Sequence, residues 1–449
     1  MTTRKIWRAE RVVLPDGERP AAIAVEDGKV VGILEKDAPW EADEEVLVPD
    51  GQALMPGLID IHVHVNEPGR TEWEGYETAT RAAAAGGFTT LVDMPLNSSP
   101  CTTSLENLEL KKGAARGKLS MDVGFWGGVI PGNIEELRPM WEAGVFGFKC
   151  FLGDSGLDEY PYVDRPTLLA AMKEIASFGG LLIIHAEDAS ILNSAPGCDG
   201  RSYEAFMNSH PAEAENASID FVVEAVRQTG CRAHILHLGS AGAVDSIRRA
   251  KAEALPITVE TAPHYLTFDA EEIPDGATEY KCCPPLRGHD NRMGLWKALQ
   301  EGVIDLVASD HSPSTAELKH LDTGDFGAAW GGISSVHPRC GRKGASLGRA
   351  SATSLGGRAR TRRRPSASRA KAPSRSERPP TLSRWPRMRL SSSTKTSFST
   401  RTLCPLTTEG SSRASSRRRG WRASPSSPTA PRAGAKSRVT TSKHQAIFH

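Results

Sequence analysis

The sequence predicts an α/β protein whose main body is a (β/α)8, TIM-like barrel, with a small β module before it and a basic tail after it. Three observations predict this. Short apolar runs alternate with amphipathic helical stretches from Met55 to about Val336, eight such runs can be counted, and several of them end in polar residues of one chemical kind. Near-continuous apolar strands separated by helices argue for a parallel sheet covered on its outer face, and eight β/α units suggest that it closes on itself. An open doubly wound sheet is the alternative, but the glycine-rich phosphate loop that often marks one is absent.

Residues 1–55 read as the N-terminal part of a β-sandwich module. The β-branched segments Arg11–Leu14, Ala21–Val25, Lys29–Leu34 and Glu45–Val48 are broken by the turn-forming runs Pro15-Asp16-Gly17 and Glu26-Asp27-Gly28. Four strands are too few for a closed sandwich. Residues 56–336 carry the barrel runs: Leu58–His64, Thr89–Met94, Met121–Val129, Gly144–Leu152, Leu181–Ala186, Ala233–Leu238, Ile257–Thr261 and Ile304–Ser309. Helical stretches such as Tyr76–Ala85, Arg165–Phe178 and Glu215–Thr229 separate several of them.

Residues 337–449 differ in kind. They hold 27 Lys+Arg against two acids, Glu377 and Glu409, whereas residues 1–336 hold 28 against 52, so the overall charge of +1 averages +25 and −24. The tail is rich in Arg, Ser and Pro, with one Val and one Ile, and shows neither apolar period. Such composition buries too little apolar surface to offset ordering entropy and predicts disorder. A nucleic-acid arm would need interleaved aromatics or a folded reader, and neither is present. We expect instead that the reading frame is lost at about Ser335–His337, which would leave the barrel without its last helix and the chain poorly soluble or inactive. Translating the coding sequence in the other two frames tests this.

No stretch reaches the roughly 18 apolar residues of a membrane span. The start, Met1 to Trp7, has no apolar core of a secretory signal. Eight cysteines without a C-x-x-C pair suit reduced thiols, so a cytoplasmic location is expected.

The C-terminal ends of barrel strands host catalysis, which makes their polar residues informative. In Asp60-Ile61-His62-Val63-His64, residues two apart project the same way, and paired imidazoles suit a borderline-soft divalent metal. Lys149, in Phe148-Lys149-Cys150-Phe151, is costly to bury charged; it either snorkels to solvent or is a neutral amine able to add carbon dioxide. Three further strand ends supply His185, one of His234 and His237, and Asp310. An odd spacing separates His234 from His237, so one of them should face the metals. His237 is chosen because it lies nearer the strand end, and His234 is assigned a packing role.

At these residues the sequence resembles the cyclic amidohydrolases, which include dihydroorotases, dihydropyrimidinases (hydantoinases) and allantoinases. Pro56-Gly57-Leu58-Ile59-Asp60-Ile61-His62-Val63-His64 is similar to their opening motif, and the likeness covers about residues 5–336. The resemblance implies that His62, His64, a carboxylated Lys149, His185, His237 and Asp310 hold two divalent ions, commonly zinc. Asp310 would also serve as the catalytic proton carrier. Asn66 stands where dihydroorotases generally have a carboxylate-gripping Arg, and Cys150–Gly156 lacks the Tyr that hydantoinases place after the lysine. The string Asn66–Gly75 is similar to the allantoinase signature, and Glu260–Leu266, Lys281–Arg287 and Trp330–Ser335 agree with it. That branch opens the hydantoin ring of allantoin to allantoate in purine catabolism. Asn66, Cys283, Gly331 and Gly332 are candidate substrate contacts, while Cys282 and Cys283 are not needed as metal ligands. His264 has a structural reading as a hydrogen-bond donor. The implied partners are a small-molecule substrate and further copies of the chain, relatives often being tetramers, with no membrane or nucleic acid. The alternatives are another cyclic amidohydrolase activity, or a catalytically dead partner protein, which would usually have lost several ligands.

Overall fold

The computed structural model describes residues 3–198 and 200–333. The described residues fall into two compact units, 3–56 and 57–333. What the sequence suggests from residue 334 onward, including the lost frame, the missing last helix and the disordered tail, lies outside the described residues.

The first unit is one four-stranded sheet. Its strands are β1 (Arg4–Leu14), β2 (Gly17–Glu26), β3 (Lys29–Leu34) and β4 (Glu44–Leu47), in the order β3-β2-β1-β4. β2 pairs antiparallel with β1 and β3, whereas β4 runs parallel to β1. Asp27 and Gly28 form the two-residue β2–β3 turn, both at positive φ (48° and 75°), the conformation that matches strand twist and favours Asp-Gly. Ala9, Val12, Leu14, Ala21, Ile23 and Val25 form a small apolar core on one face. Among the described residues the module is therefore a single sheet rather than two facing sheets.

The second unit contains parallel strands β5 (Leu58–Val63), β6 (Phe88–Asp93), β7 (Asp122–Phe125), β8 (Gly127–Gly128), β9 (Phe148–Phe151), β10 (Leu181–His185), β11 (Arg232–Ile235), β12 (Ile257–Thr261) and β13 (Leu306–Val307). Pairing runs β5-β6-β7 and β8-β9-β10-β11-β12-β13. β7 and β8 occupy one staggered position, separated only by Trp126, whose indole Nε1 donates to Ile61 O at 2.9 Å. The run read as one strand, Met121–Val129, thus breaks where this side chain spans the interior. A parallel bridge between Val63 and His311, with His64 N donating to His311 O at 2.8 Å, brings the last strand position back to the first. Eight strand positions so closed make the expected barrel.

Nine helices are described: α1 (Tyr76–Ala85), α2 (Leu105–Ala115), α3 (Ile134–Glu142), α4 (Arg165–Ser177), α5 (Ala189–Ser194), α6 (Tyr203–Ser209), α7 (Ala212–Thr229), α8 (Val244–Ala252) and α9 (His289–Gln300). Strand alternation sorts the core into two layers. Leu91, Val123, Phe148, Cys150, Leu182, Ile184, Ile235 and Val259 pack outward with helix residues such as Leu168, Met172 and Val222. Ile61, Val92, Phe151, Leu181, Ile183 and Ala308 fill the interior. Lys149 and His185 alternate with the outward residues and so belong to the interior set.

Candidate metal centre

His62, His64, His185, His237 and Asp310 sit at the C-terminal end of a barrel strand or just past it, and Lys149 is the second residue of β9. His62 lies in β5 and His64 one residue beyond, where a register irregularity between Asp60 and Val63 interrupts the pairing with β6. Their ring centroids are 5.6 Å apart. One ligand atom from each of His62, His64 and Asp310 lies within 4.8 Å of the others. Asp310 Oδ1 is 3.0 Å from His62 Nε2 and 3.9 Å from His64 Nε2. His237 joins from the far side, its ring centroid 5.4 Å from His62 and 4.6 Å from His185.

Lys149 is held in β9 beside Ile183 of β10, and its backbone carbonyl accepts from Tyr160 Oη at 2.7 Å. Its Nζ stands 4.9 Å from the Phe151 ring centroid, and that ring stacks on His185 at 4.5 Å. Only 1% of Lys149 is exposed, and burial lowers its ammonium to about 8 against the pull of Asp310 and Glu260. Its charge in turn depresses His64 and His237, both already pushed well below the ordinary imidazole value by burial.

The sequence argument separating His234 from His237 rests on strand alternation, and the structure replaces its reason. β11 ends at Ile235, and His237 sits beyond it at φ 33°, so alternation no longer governs its direction. Asp310 likewise lies past β13 at φ 49°. Left-handed backbone is uncommon outside glycine, and two candidate donors adopt it. His234 is buried and approaches Thr258 Oγ1 at 2.8 Å and Glu260 Oε2 at 3.2 Å. Its contacts are thus with Thr258 and with the carboxylate that also meets His62.

Two acids missed as functional residues hold the imidazoles in place. Glu260 Oε1 is 2.5 Å from His62 Nδ1 and accepts from His237 N at 3.3 Å; Glu187 Oε2 is 2.7 Å from His185 Nε2. Burial opposes ionisation of both carboxyls, yet their histidine partners bring them below the usual carboxylate range. Burial would likewise lower His62, but Asp310 and Glu260 raise it to about 9. Asp310 is brought well below its usual value because His62, His237 and His264 outweigh its burial. Glu187 and Glu260 follow or end apolar strands in the sequence, but their pairing with these imidazoles needs the fold. His264 is buried with Nε2 unpartnered, and burial lowers it to about 4, leaving a neutral, unsatisfied ring near Asp310 rather than only a structural donor.

Of the four candidate substrate contacts, Asn66 is fully buried, donates from Nδ2 to Pro313 O at 3.3 Å and leaves Oδ1 without a partner. Gly331 adjoins Cys283, since a Cβ built on it would lie 3.5 Å from Sγ. Gly332, at φ 154°, would press a Cβ to 2.7 Å from Ser312 O, so a side chain is excluded there. Lys319, another residue the sequence reading passed over, donates from Nζ to Trp330 O at 3.0 Å and to Gly332 O, and lies 3.5 Å from Lys281 O.

The residues fit divalent cations. His64 Nδ1 and His237 Nδ1 are buried ring nitrogens without a hydrogen-bond partner, and His62 Nε2 meets only the Asp310 carboxylate, 3.0 Å away. Buried polar atoms are normally satisfied, so buried imidazole nitrogens grouped with a carboxylate form a donor set able to hold a cation. Mixed imidazole and carboxylate donors suit zinc and its neighbours.

Comparison with known proteins agrees. Residues 53–331 match the Amidohydrolase family. Over 331 residues the chain is 54% identical to allantoinase of Streptomyces avermitilis, covering 74% of each chain. It is 48% identical to the protein named mitochondrial allantoinase of Aquarana catesbeiana, covering 74% of this chain and 68% of that one. Identity to allantoinase of Saccharomyces cerevisiae is 45%, covering 73% and 74%. Among solved structures, the L-hydantoinase of Arthrobacter aurescens matches with TM-score 0.71 and 30% identity over 79% of this chain and 80% of that one. A D-hydantoinase from Thermus sp. matches at 0.67 and 26%, over 78% and 79%. With donors gathered at the strand ends and a match over most of its described length, the chain belongs to the amidohydrolase family.

Proposed function

We propose that this protein is a metal-dependent cyclic-amide hydrolase that opens the hydantoin ring of allantoin to give allantoate. The observation that carries it is the 40–54% identity to relatives named as allantoinases in bacteria, yeast, plants and animals, over about three quarters of the chain. The hydantoinase reading draws on structural neighbours of lower identity.

His62, His64, Lys149, His185, His237 and Asp310 would hold two divalent ions, zinc by the chemistry of the donor set. Bound there, such ions supply Lewis acidity and bring the pKa of water towards neutrality. The chain's own residues do the rest. Asp310, kept ionised, takes a proton from the attacking water and returns it to the departing ring nitrogen. Glu260 and Glu187 each accept from one ring nitrogen of His62 and His185, which leaves the other to ligate. The open acceptor of Asn66 Oδ1 suits a substrate N–H, and the Gly331–Gly332 backbone with Cys283 lines the same neighbourhood. Carboxylation of Lys149 is supported by its burial, which keeps a share of the amine neutral near physiological pH. That amine would add carbon dioxide, form an N–C bond, lose a proton and become a carbamate anion that could help hold the ions.

No helix among the described residues is long and apolar enough to cross a membrane. The six described cysteines are free, which supports a reducing compartment, the cytoplasm by our reading. Assembly into a homotetramer is expected from the family resemblance and is read by light scattering. The function is tested by metal analysis of the purified chain with ring-opening assays on allantoin, hydantoin, dihydrouracil and dihydroorotate. Preference for allantoin is expected; preference for another ring would keep the chemistry and discard the substrate.

A further inference from the structure

Glu187 serves two imidazoles, one on each oxygen. Oε2 lies 2.7 Å from His185 Nε2, and Oε1 lies 3.2 Å from His210 Nδ1, with the Glu187 side chain only 1% exposed. His185 is one of the six proposed ligands, whereas His210 follows α6 and belongs to no ligand set. The far edge of His210 faces the other half of the site, with Nε2 3.9 Å from Cys283 Sγ, the thiol beside Gly331. The His210 backbone is itself fixed, its carbonyl accepting from Arg287 Nη2 at 3.2 Å and its ring resting against Phe206 at 5.5 Å. A continuous line of side chains therefore runs Cys283–His210–Glu187–His185, from the proposed substrate segment to the proposed metal side.

We propose that His210 is a positioning residue for the metal centre, acting through Glu187 on the orientation of His185. A buried carboxylate held by one donor can swing about its side-chain torsions; held by a donor on each oxygen, it cannot do so without losing a bond. Glu187 so fixed accepts the Nε2 proton of His185 and keeps Nδ1 turned to the interior. This role rests on the metal-dependent reading above.

The test measures divalent-metal affinity of the chelator-stripped protein by competition with a chromophoric chelator, using zinc as probe, for wild type, His210→Ala and His210→Arg. Outer-shell partners of ligating histidines are worth about 10–100-fold in metal affinity. His210→Ala is expected to lose affinity in that range at one of two sites. His210→Arg is expected to recover most of it, because a guanidinium donates to Glu187 Oε1 as the imidazole does. A merely structural role would lower the thermal midpoint of the metal-free protein in the Ala variant without changing zinc affinity, and that result overturns the proposal. Equal losses in the Arg and Ala variants overturn it too. If His210→Ala does not fold, His210→Phe, which keeps the ring volume and donates nothing to Glu187, takes its place with the same outcomes. Wild type that binds no zinc would remove the metal reading and this inference together, whereas wild type and His210→Ala binding alike would remove the inference alone.

Discussion

Replacing Lys111 by Met removes the cation from a buried network under the first two barrel strands. Lys111 Nζ lies 3.0 Å from Asp93 Oδ2, and neither side chain is more than 1% exposed. The ammonium also donates to Met94 O at 2.7 Å and Ser98 Oγ at 3.2 Å, while Asp93 accepts from Tyr76 Oη at 2.6 Å and Val65 N at 2.9 Å. Methionine nearly matches the aliphatic length of lysine, so the change removes charge and donors with little loss of volume. Breaking one side of a buried ion pair costs about 3–5 kcal/mol, because the remaining charge stays desolvated. For a unit of this size that corresponds to a fall in Tm of roughly 6–10 °C, at about 2 °C per kcal/mol. Asp93→Asn alone leaves a buried ammonium and is expected to cost a similar amount. The double variant removes both charges and should lose at least about 1 kcal/mol less than the sum of the singles, as expected for directly coupled residues. Urea unfolding followed by tryptophan fluorescence, at matched metal content, measures all four corners of the cycle. A Lys111→Met loss under about 1 kcal/mol, or strict additivity in the double variant, would refute the reasoning.

Other outcomes follow from the site. Glu260→Gln weakens the hold on both His62 and His234, and a 10–100-fold fall in metal affinity or kcat/KM is expected, read by zinc titration and steady-state kinetics. Dialysis against a strong chelator should abolish ring opening, and re-addition of zinc with bicarbonate should restore it better than zinc alone if Lys149 is carboxylated; equal recovery without bicarbonate or dissolved carbon dioxide would count against the bridge. Lys319→Met removes the ammonium from the Lys281, Trp330 and Gly332 carbonyls and should raise KM more than it lowers kcat. Burial lowers Lys319 to about 8, below its unfolded value, so its ammonium is lost as pH rises through that point. KM of the wild type should therefore climb above pH 8, and KM of the Met variant should be high at every pH. For stability the sign is opposite: between about 8 and the unfolded lysine value the unfolded chain binds more protons, so this group favours folding more as pH rises there.

The barrel was legible because its strands are apolar on both faces and its helices are not. Leu181–Ala186 could be read almost to the residue, since a continuous apolar run bounded by polar turns leaves little freedom of register, and Ile257–Thr261 by its β-branched alternation. Met121–Val129 could not, because the break at Trp126 depends on an indole reaching across the interior to Ile61, a tertiary contact with no local signature. Ile304–Ser309 shrinks to Leu306–Val307, as closure through His311 takes over the pairing beyond. The β module was legible as strands but not as a layer, since which face of a sheet is covered depends on what packs against it.

The site divides along the same line. Histidines at strand ends stand out because imidazoles are rare in apolar runs, so His62, His64 and His185 are candidates from spacing, whereas preferring His237 to His234 leaned on an alternation that does not extend past Ile235. Their supporting acids could not be found from spacing, because Glu187 and Glu260 become significant only when a fold removes them from water. An exposed glutamate beside a histidine is a weak pair; the same pair buried keeps one ring nitrogen occupied and leaves the other to the interior. His62 with Glu260 and His185 with Glu187 repeat this arrangement on different strands. Glu260 is backed by His234 and Glu187 by His210, so each carboxylate has an imidazole on its far oxygen. The two halves differ in their surroundings: His234 is fully buried, while His210 is partly exposed and faces Cys283. Substitutions at His234 should therefore disturb packing and ligation together, whereas substitutions at His210 can separate them, which makes His210 the better place to measure what the outer imidazole contributes.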